Sequence, residues 1–185
     1  MLEPALRVLV AAKATSFVSF ALALYARAAM LDGDYAVAID RLGEARALAV
    51  EMGETDEALS IQAFAAECLV LAGAPDGALQ VVERARGEAA ASLHTLTAEP
   101  GLHRARGIAL VAVGRTEDGF AALHHALRVA QERFSNYEVQ ESLAALLRAG
   151  AASDELEAMS WEATRLELAG ALGILVTELE MPSAS

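Results

Sequence analysis

Small and apolar residues recur along this chain at the spacing of an amphipathic helix, and a glycine interrupts them at nearly even intervals. Gly33-Asp34-Tyr35 is followed by Ala38, Ile39, Leu42 and Ala45. Gly73-Ala74-Pro75-Asp76 is followed by Ala78, Leu79, Val82 and Ala85. Gly114-Arg115-Thr116 is followed by Gly119, Phe120, Leu123 and Ala126. Each copy closes one Ala-rich helix, turns, and opens the next. The turn glycines stand about 40 residues apart, a period that specifies stacked helical hairpins.

Four hairpins are predicted. The helix pairs are 16–31 with 35–52, 56–72 with 76–92, 99–113 with 117–133, and 135–148 with 153–172. Asp34, Thr55 and Thr116 have the chemistry of N-caps, and Pro75 sits at a helix start, where its missing N–H costs nothing. Ala38, Ala45, Ala78, Ala85 and Ala126 are expected where helices cross closely. The segment 92–100 is the longest connection. In the fourth pair Gly150 is the turn glycine, but Glu155 falls where the repeat has Ala. Asp154, Glu155, Glu157, Glu162, Arg165 and Glu167 give that last helix a wet outer face that closes its end of the stack.

The other end is different. Residues 1–15 read as a partial leading half-repeat, 16–175 as the repeat domain and 176–185 as a tail. Leu6, Val8, Leu9 and Val10 cannot all face inward on one helix, and Phe17 and Phe20 follow them. This apolar end predicts self-association, with a symmetric homodimer as the commonest closed solution.

The composition fits helices packed at close range: 55% of residues are apolar but only 5% are aromatic, and alanine makes up the difference. The net charge of −12 argues against direct nucleic-acid binding, which needs a basic face. Arg84, Arg86, Arg104 and Arg106 come nearest to one, and acidic neighbours dilute them. Cys68 is the single cysteine, so there is no intrachain disulfide, and its apolar surroundings make it a small buried hydrophobe. The uncharged stretch 14–26 is too short to span a bilayer and runs into the first repeat, so it reads as a core helix. A cytoplasmic protein with no membrane contact is expected.

At Gly33-Asp34-Tyr35-Ala36-Val37-Ala38-Ile39, with Leu42 and Ala45, the chain resembles the tetratricopeptide repeat family. In the third unit Gly107 and Leu110 match the family's first-helix glycine and the large residue after it. Ala26 and Ala66 replace that glycine in the first two units, and Gly119 replaces the second-helix alanine in the third. The longer period, the alanine content and the run Ala169-Gly170-Ala171-Leu172-Gly173-Ile174 are similar to the C-terminal repeat regions of large bacterial ATP-binding and cyclase-type regulators. The resemblance implies an all-α, right-handed α-solenoid of about four hairpins with longer helices than the standard repeat. It also implies protein or peptide binding, or self-association, with no catalysis and no cofactor.

Nothing in the sequence competes strongly with that reading. There is no phosphate-binding glycine loop and no nucleophile elbow. Of the histidines, His94, His103, His124 and His125, none forms a metal-binding pair in sequence; His124 and His125 point about 100° apart on a helix. His103 is expected near His124 across the third hairpin, without carboxylate partners at good spacing, so no metal site is predicted. The remaining surface is the concave side lined by the first helix of each hairpin. There the candidate partner-binding residues are Phe20, Arg27, Met30, Glu67, Arg104, Ile108, Tyr137 and Gln140, with Met30 and Ile108 equally at home in the hairpin core. That mix suits an amphipathic helix. The rival expectation is a small-ligand sensor using the same groove, for which a large pocket with convergent polar groups is the signature.

Overall fold

The computed structural model describes residues 15–92 and 97–173. Among them the chain is all α-helical, with eight helices and no strand: α1 (Thr15–Leu31), α2 (Tyr35–Glu51), α3 (Thr55–Leu71), α4 (Pro75–Ala90), α5 (Glu99–Ala112), α6 (Thr116–Glu132), α7 (Asn136–Arg148) and α8 (Glu155–Leu172). The predicted helices are all present, with ends within two residues of expectation. None of the described helices is long and apolar enough to cross a membrane. Residues 1–14, 93–96 and 174–185 lie outside the described set, and with them Leu6, Val8, Leu9 and Val10.

Each helix packs on the next in the chain, and α5 also packs on both α3 and α7. The odd-numbered helices α3 and α5 are therefore enclosed, and it shows in their residues. Helix α3 buries Leu59, Ala63, Ala66 and Val70 on one side and Ala58, Ile61 and Cys68 on the other. Two core clusters meet on this helix. The even-numbered helices bury a single stripe: Ala38, Leu42, Ala45 and Ala49 on α2, and Ala78, Val82 and Ala85 on α4. Helices apolar on more than one side belong inside, and helices apolar on one side belong outside.

The five crossing alanines, Ala38, Ala45, Ala78, Ala85 and Ala126, are completely buried. So are Ala26 and Ala66, each twelve residues before the corresponding second-helix alanine. In the third hairpin that pair is Gly107 and Gly119, and α5 and α6 approach more closely still. A Cβ on Gly107 would lie 2.6 Å from Leu123 Cγ and 2.9 Å from the Gly119 carbonyl oxygen. A Cβ on Gly119 would lie 2.5 Å from Val111 Cγ2.

Apart from the α4–α5 connection, which is described only in part, the turns follow a common form, in which a left-handed residue ends one helix and a capping position opens the next. Asp34 caps α2 by accepting from the Val37 N–H at 3.4 Å, and Ser135 does the same for the Glu138 N–H of α7. Asp154 accepts from the Glu157 N–H at 2.8 Å, while the Glu157 carboxylate accepts from the N–H and hydroxyl of Ser153, the residue before the cap, a variant of the capping box. Thr55 and Thr116 are not caps: they are the first helical residues of α3 and α6, behind Glu54 and Arg115. Glycine takes the left-handed position at 33, 53, 73, 114 and 150, but the α6–α7 turn uses Phe134 at φ 54°, a residue 91% exposed. A non-glycine residue there crowds its own Cβ against the backbone.

Two consequences are measurable by denaturant unfolding. Ala38→Leu and Gly107→Ala are each expected to cost about 1–3 kcal/mol by overpacking, whereas Gly43→Ala, in an exposed helix interior with open space around it, is expected to gain about 0.5–1 kcal/mol. Phe134→Gly is expected to stabilise the fold by about 1 kcal/mol, because it removes left-handed strain and exposes nothing new.

Candidate functional site

Four odd-numbered helices contribute to one polar cluster. At its centre is Arg104 on α5, whose side chain is 1% exposed. Its Nε donates to Glu67 Oε1 of α3 at 2.8 Å, and its Nη1 donates to the Glu138 carboxylate of α7. Helix α1 enters through Arg27, whose guanidinium lies 3.9 Å from Glu141 of α7 and 5.3 and 5.5 Å from the ring centroids of Phe64 and Tyr137. Arginine suits both positions: the planar fork of Arg104 bonds two carboxylates at once, and the face of Arg27 lies over aromatic rings.

Burial governs the electrostatics. It works against the Arg104 charge, but Glu67, Glu138 and Glu141 together outweigh it and hold the guanidinium firmly protonated. Burial also pushes the Glu67 carboxyl above its ordinary range in spite of Arg104. The Tyr137 hydroxyl is pushed up to about 12, mainly by burial and the nearby Glu141 charge. Arg104 Nη2, Tyr137 Oη, Gln140 Oε1 and Ser142 Oγ are buried with no hydrogen-bond partner among the described residues.

Of the residues expected along the concave groove, Arg27, Glu67, Arg104 and Tyr137 do come together. They meet as a closed ion and aromatic cluster, because the guanidinium of α1 reaches as far as α7. Gln140 is buried beside them at 4% exposure, and Met30 and Ile108 belong to the apolar core. Phe20 stands apart, on the rim of a cleft of about 630 Å³ lined also by Gly53, Glu54, Thr55, Asp56, Glu57 and Ser92. Asp56 in that rim accepts from the Ala98 N–H at 3.3 Å and so ties the start of α5 to the start of α3.

A second cluster lies on the third hairpin. His103 faces His125, with ring centroids 4.2 Å apart and the planes nearly perpendicular. The sequence reading paired His103 with His124, but one residue turns a side chain by about 100°, and His124 instead meets Trp161 of α8 edge-on at 5.7 Å. A carboxylate is present after all: Glu99 lies one helical turn before His103 and 3.9 Å from its Nε2. The Glu99-x-x-x-His103 spacing was the signal available in the sequence. Ligand atoms of Glu99, His103 and His125 all lie within 4.8 Å of one another. Arg133 bonds the Glu99 carboxylate, and Arg128 contacts His125 Nδ1. Burial, helped by His125, Arg86 and Arg106 and opposed by Glu99, lowers His103 to about 4 and leaves its imidazole neutral near pH 7. Cys68 is inert by comparison: fully buried, with its thiol pushed up to about 11 by desolvation.

The first and last of the described helices carry exposed apolar stripes. On α1, Phe17, Phe20, Leu24 and Leu31 are 66, 58, 41 and 51% exposed. At 100° per residue they fall within an arc of roughly 60°, opposite the buried Val18, Leu22, Ala26 and Ala29. On α8, Leu156, Met159 and Leu166 are 76, 64 and 48% exposed, and Ala169 alone is buried among its described residues. The acidic side chains expected to give this helix a wet outer face are present, but they share that face with large apolar ones.

No family model matches the chain, and no curated protein matches it.

The central cluster makes a sharp prediction. Arg104→Met leaves two mostly buried carboxylates without their cation and is expected to cost about 3–5 kcal/mol in denaturant unfolding. Adding Glu67→Met and Glu138→Met to it is expected to recover most of the loss, because an apolar replacement of the whole triad leaves no buried charge unpaired.

Proposed function

We propose that this chain is a non-catalytic scaffold for protein–protein contacts, built as a right-handed, tetratricopeptide-like solenoid of four hairpins. The hairpins are α1–α2, α3–α4, α5–α6 and α7–α8. The recurring small-residue pairs, the left-handed turns and the packing of α5 between α3 and α7 support this architecture. In this reading the chain is a cytoplasmic regulatory repeat region of a larger bacterial signalling or transcription regulator. The resemblance at Gly33-Asp34-Tyr35 and the long repeat support that assignment.

One observation carries the binding function: the apolar stripe of α1, Phe17, Phe20, Leu24 and Leu31, which no described helix covers. A helix with such an apolar face is shaped to receive another amphipathic helix. Phe134 supports the same reading, since an exposed aromatic residue is kept at a left-handed position that glycine takes in five other interhelical turns. The small-ligand reading is less favoured, because the charged groups of the groove are paired with one another across the helices and the 630 Å³ cleft lies apart from them. The net charge of −12 disfavours nucleic acid as the partner.

The partner most available to the isolated chain is a second copy, joined through the N-terminal end with Leu6, Val8, Leu9 and Val10 taking part. Light scattering on the purified chain tests this. A dimer is expected at high micromolar concentration, weakened about tenfold or more by Phe20→Glu and by Val8→Glu with Leu9→Glu. Leu156→Glu with Met159→Glu, at the opposite end, is expected to leave it intact. A clean monomer, or a dimer indifferent to the first set of changes, overturns the N-terminal interface.

A further inference from the structure

We propose that Glu99, His103 and His125 form a binding site for a divalent transition-metal ion of the zinc type. Two imidazoles and one carboxylate are the donor set such an ion takes when part of its coordination sphere is left to water. The donors come from two adjacent helices. Glu99 and His103 are one turn apart on α5, and His125 faces them from α6. Their ligand atoms lie within 4.8 Å of one another. Donors on a tetrahedral ion at about 2.0–2.1 Å stand about 3.3 Å apart, so side-chain rotations of about an ångström close the site.

The backbone need not move, because the closest helix crossing in the hairpin holds it. Gly107 sits one turn beyond His103, and its approach to Gly119 is too close for any Cβ. This crossing fixes the α5–α6 register that places His103 against His125. A partner for the carboxylate is also in place. The Arg133 guanidinium bonds Glu99, the kind of outer contact that orients a ligating carboxylate.

The surrounding cations set the competition. Arg86 and Arg106 are both engaged by the Glu83 carboxylate, at 2.9 and 2.6 Å, and that pairing offsets their charge. Arg128, which contacts His125 Nδ1, is the group an ion has to displace or avoid. It follows that Arg128→Ala tightens binding while the three ligand substitutions weaken it.

The probe is Zn²⁺ added to the full, untagged chain and followed by calorimetry, with Co²⁺ as the spectroscopic substitute. One ion per chain is expected, with visible Co²⁺ absorption at tetrahedral intensity. His103→Ala, His125→Ala and Glu99→Gln are each expected to weaken binding about tenfold or more. A His94→Ala, His124→Ala double variant is expected to bind as tightly as the parent. Circular dichroism reports folding of each variant, and Glu99→Gln, an isosteric change at a half-buried position in the first turn of α5, serves if the histidine variants fail to fold. The site is overturned if about 100 µM Zn²⁺ gives no one-to-one binding. It is equally overturned if the ion follows His94 and His124 rather than His103 and His125.

Discussion

A guanidinium at the centre of a helical stack is the constraint on which much of this molecule turns. Arg104 is buried on α5, so it needs carboxylates within reach and in the right plane. Helix α3 supplies one and α7 the other. Once both pairs form, the three helices can neither slide by a turn nor exchange neighbours without stranding a charge. Apolar packing alone would tolerate more than one register, since alanine resembles alanine at every turn. The ion triad removes that freedom, and Arg27, reaching Glu141, extends the constraint to α1.

The second determinant is size. Helices approach closely only where both surfaces are small, and in the first three hairpins the small residues sit in pairs twelve positions apart across the turn. The third pair is glycine with glycine, so α5 and α6 come nearest. Polar residues one turn away are carried together as a result. His103 and His125 meet because the crossing beside them is tight, and the same hairpin geometry sends His124 to Trp161 instead. A packing feature in the core thus specifies a chemical feature near the surface.

The two ends of the stack resemble each other more than their sequences suggest. Both terminal helices turn large apolar side chains outward, although one is almost uncharged and the other is crowded with acids. Among the described helices the interior ones have neighbours on two sides, whereas the first or the last has one. Its outer apolar face is left to whatever the molecule binds.

Much of the architecture was legible in one dimension. Helix periodicity, the turn glycines and the crossing alanines are local properties, since a left-handed turn or a close crossing demands a residue type wherever it occurs. For that reason the helix ends, and the burial of Ala38, Ala45, Ala78, Ala85 and Ala126, could be read before any fold was known. Arg27, Glu67, Arg104 and Tyr137 could likewise be assigned to one side of the stack. Their closure into a buried cluster could not, because it depends on how far the first helix lies from the seventh. The pairing of His103 with His125 rather than His124, with Glu99 as third member, depends on a rotation of about 100° between adjacent residues. Such a rotation is set by the register of two packed helices, a quantity that appears only when the whole hairpin is assembled.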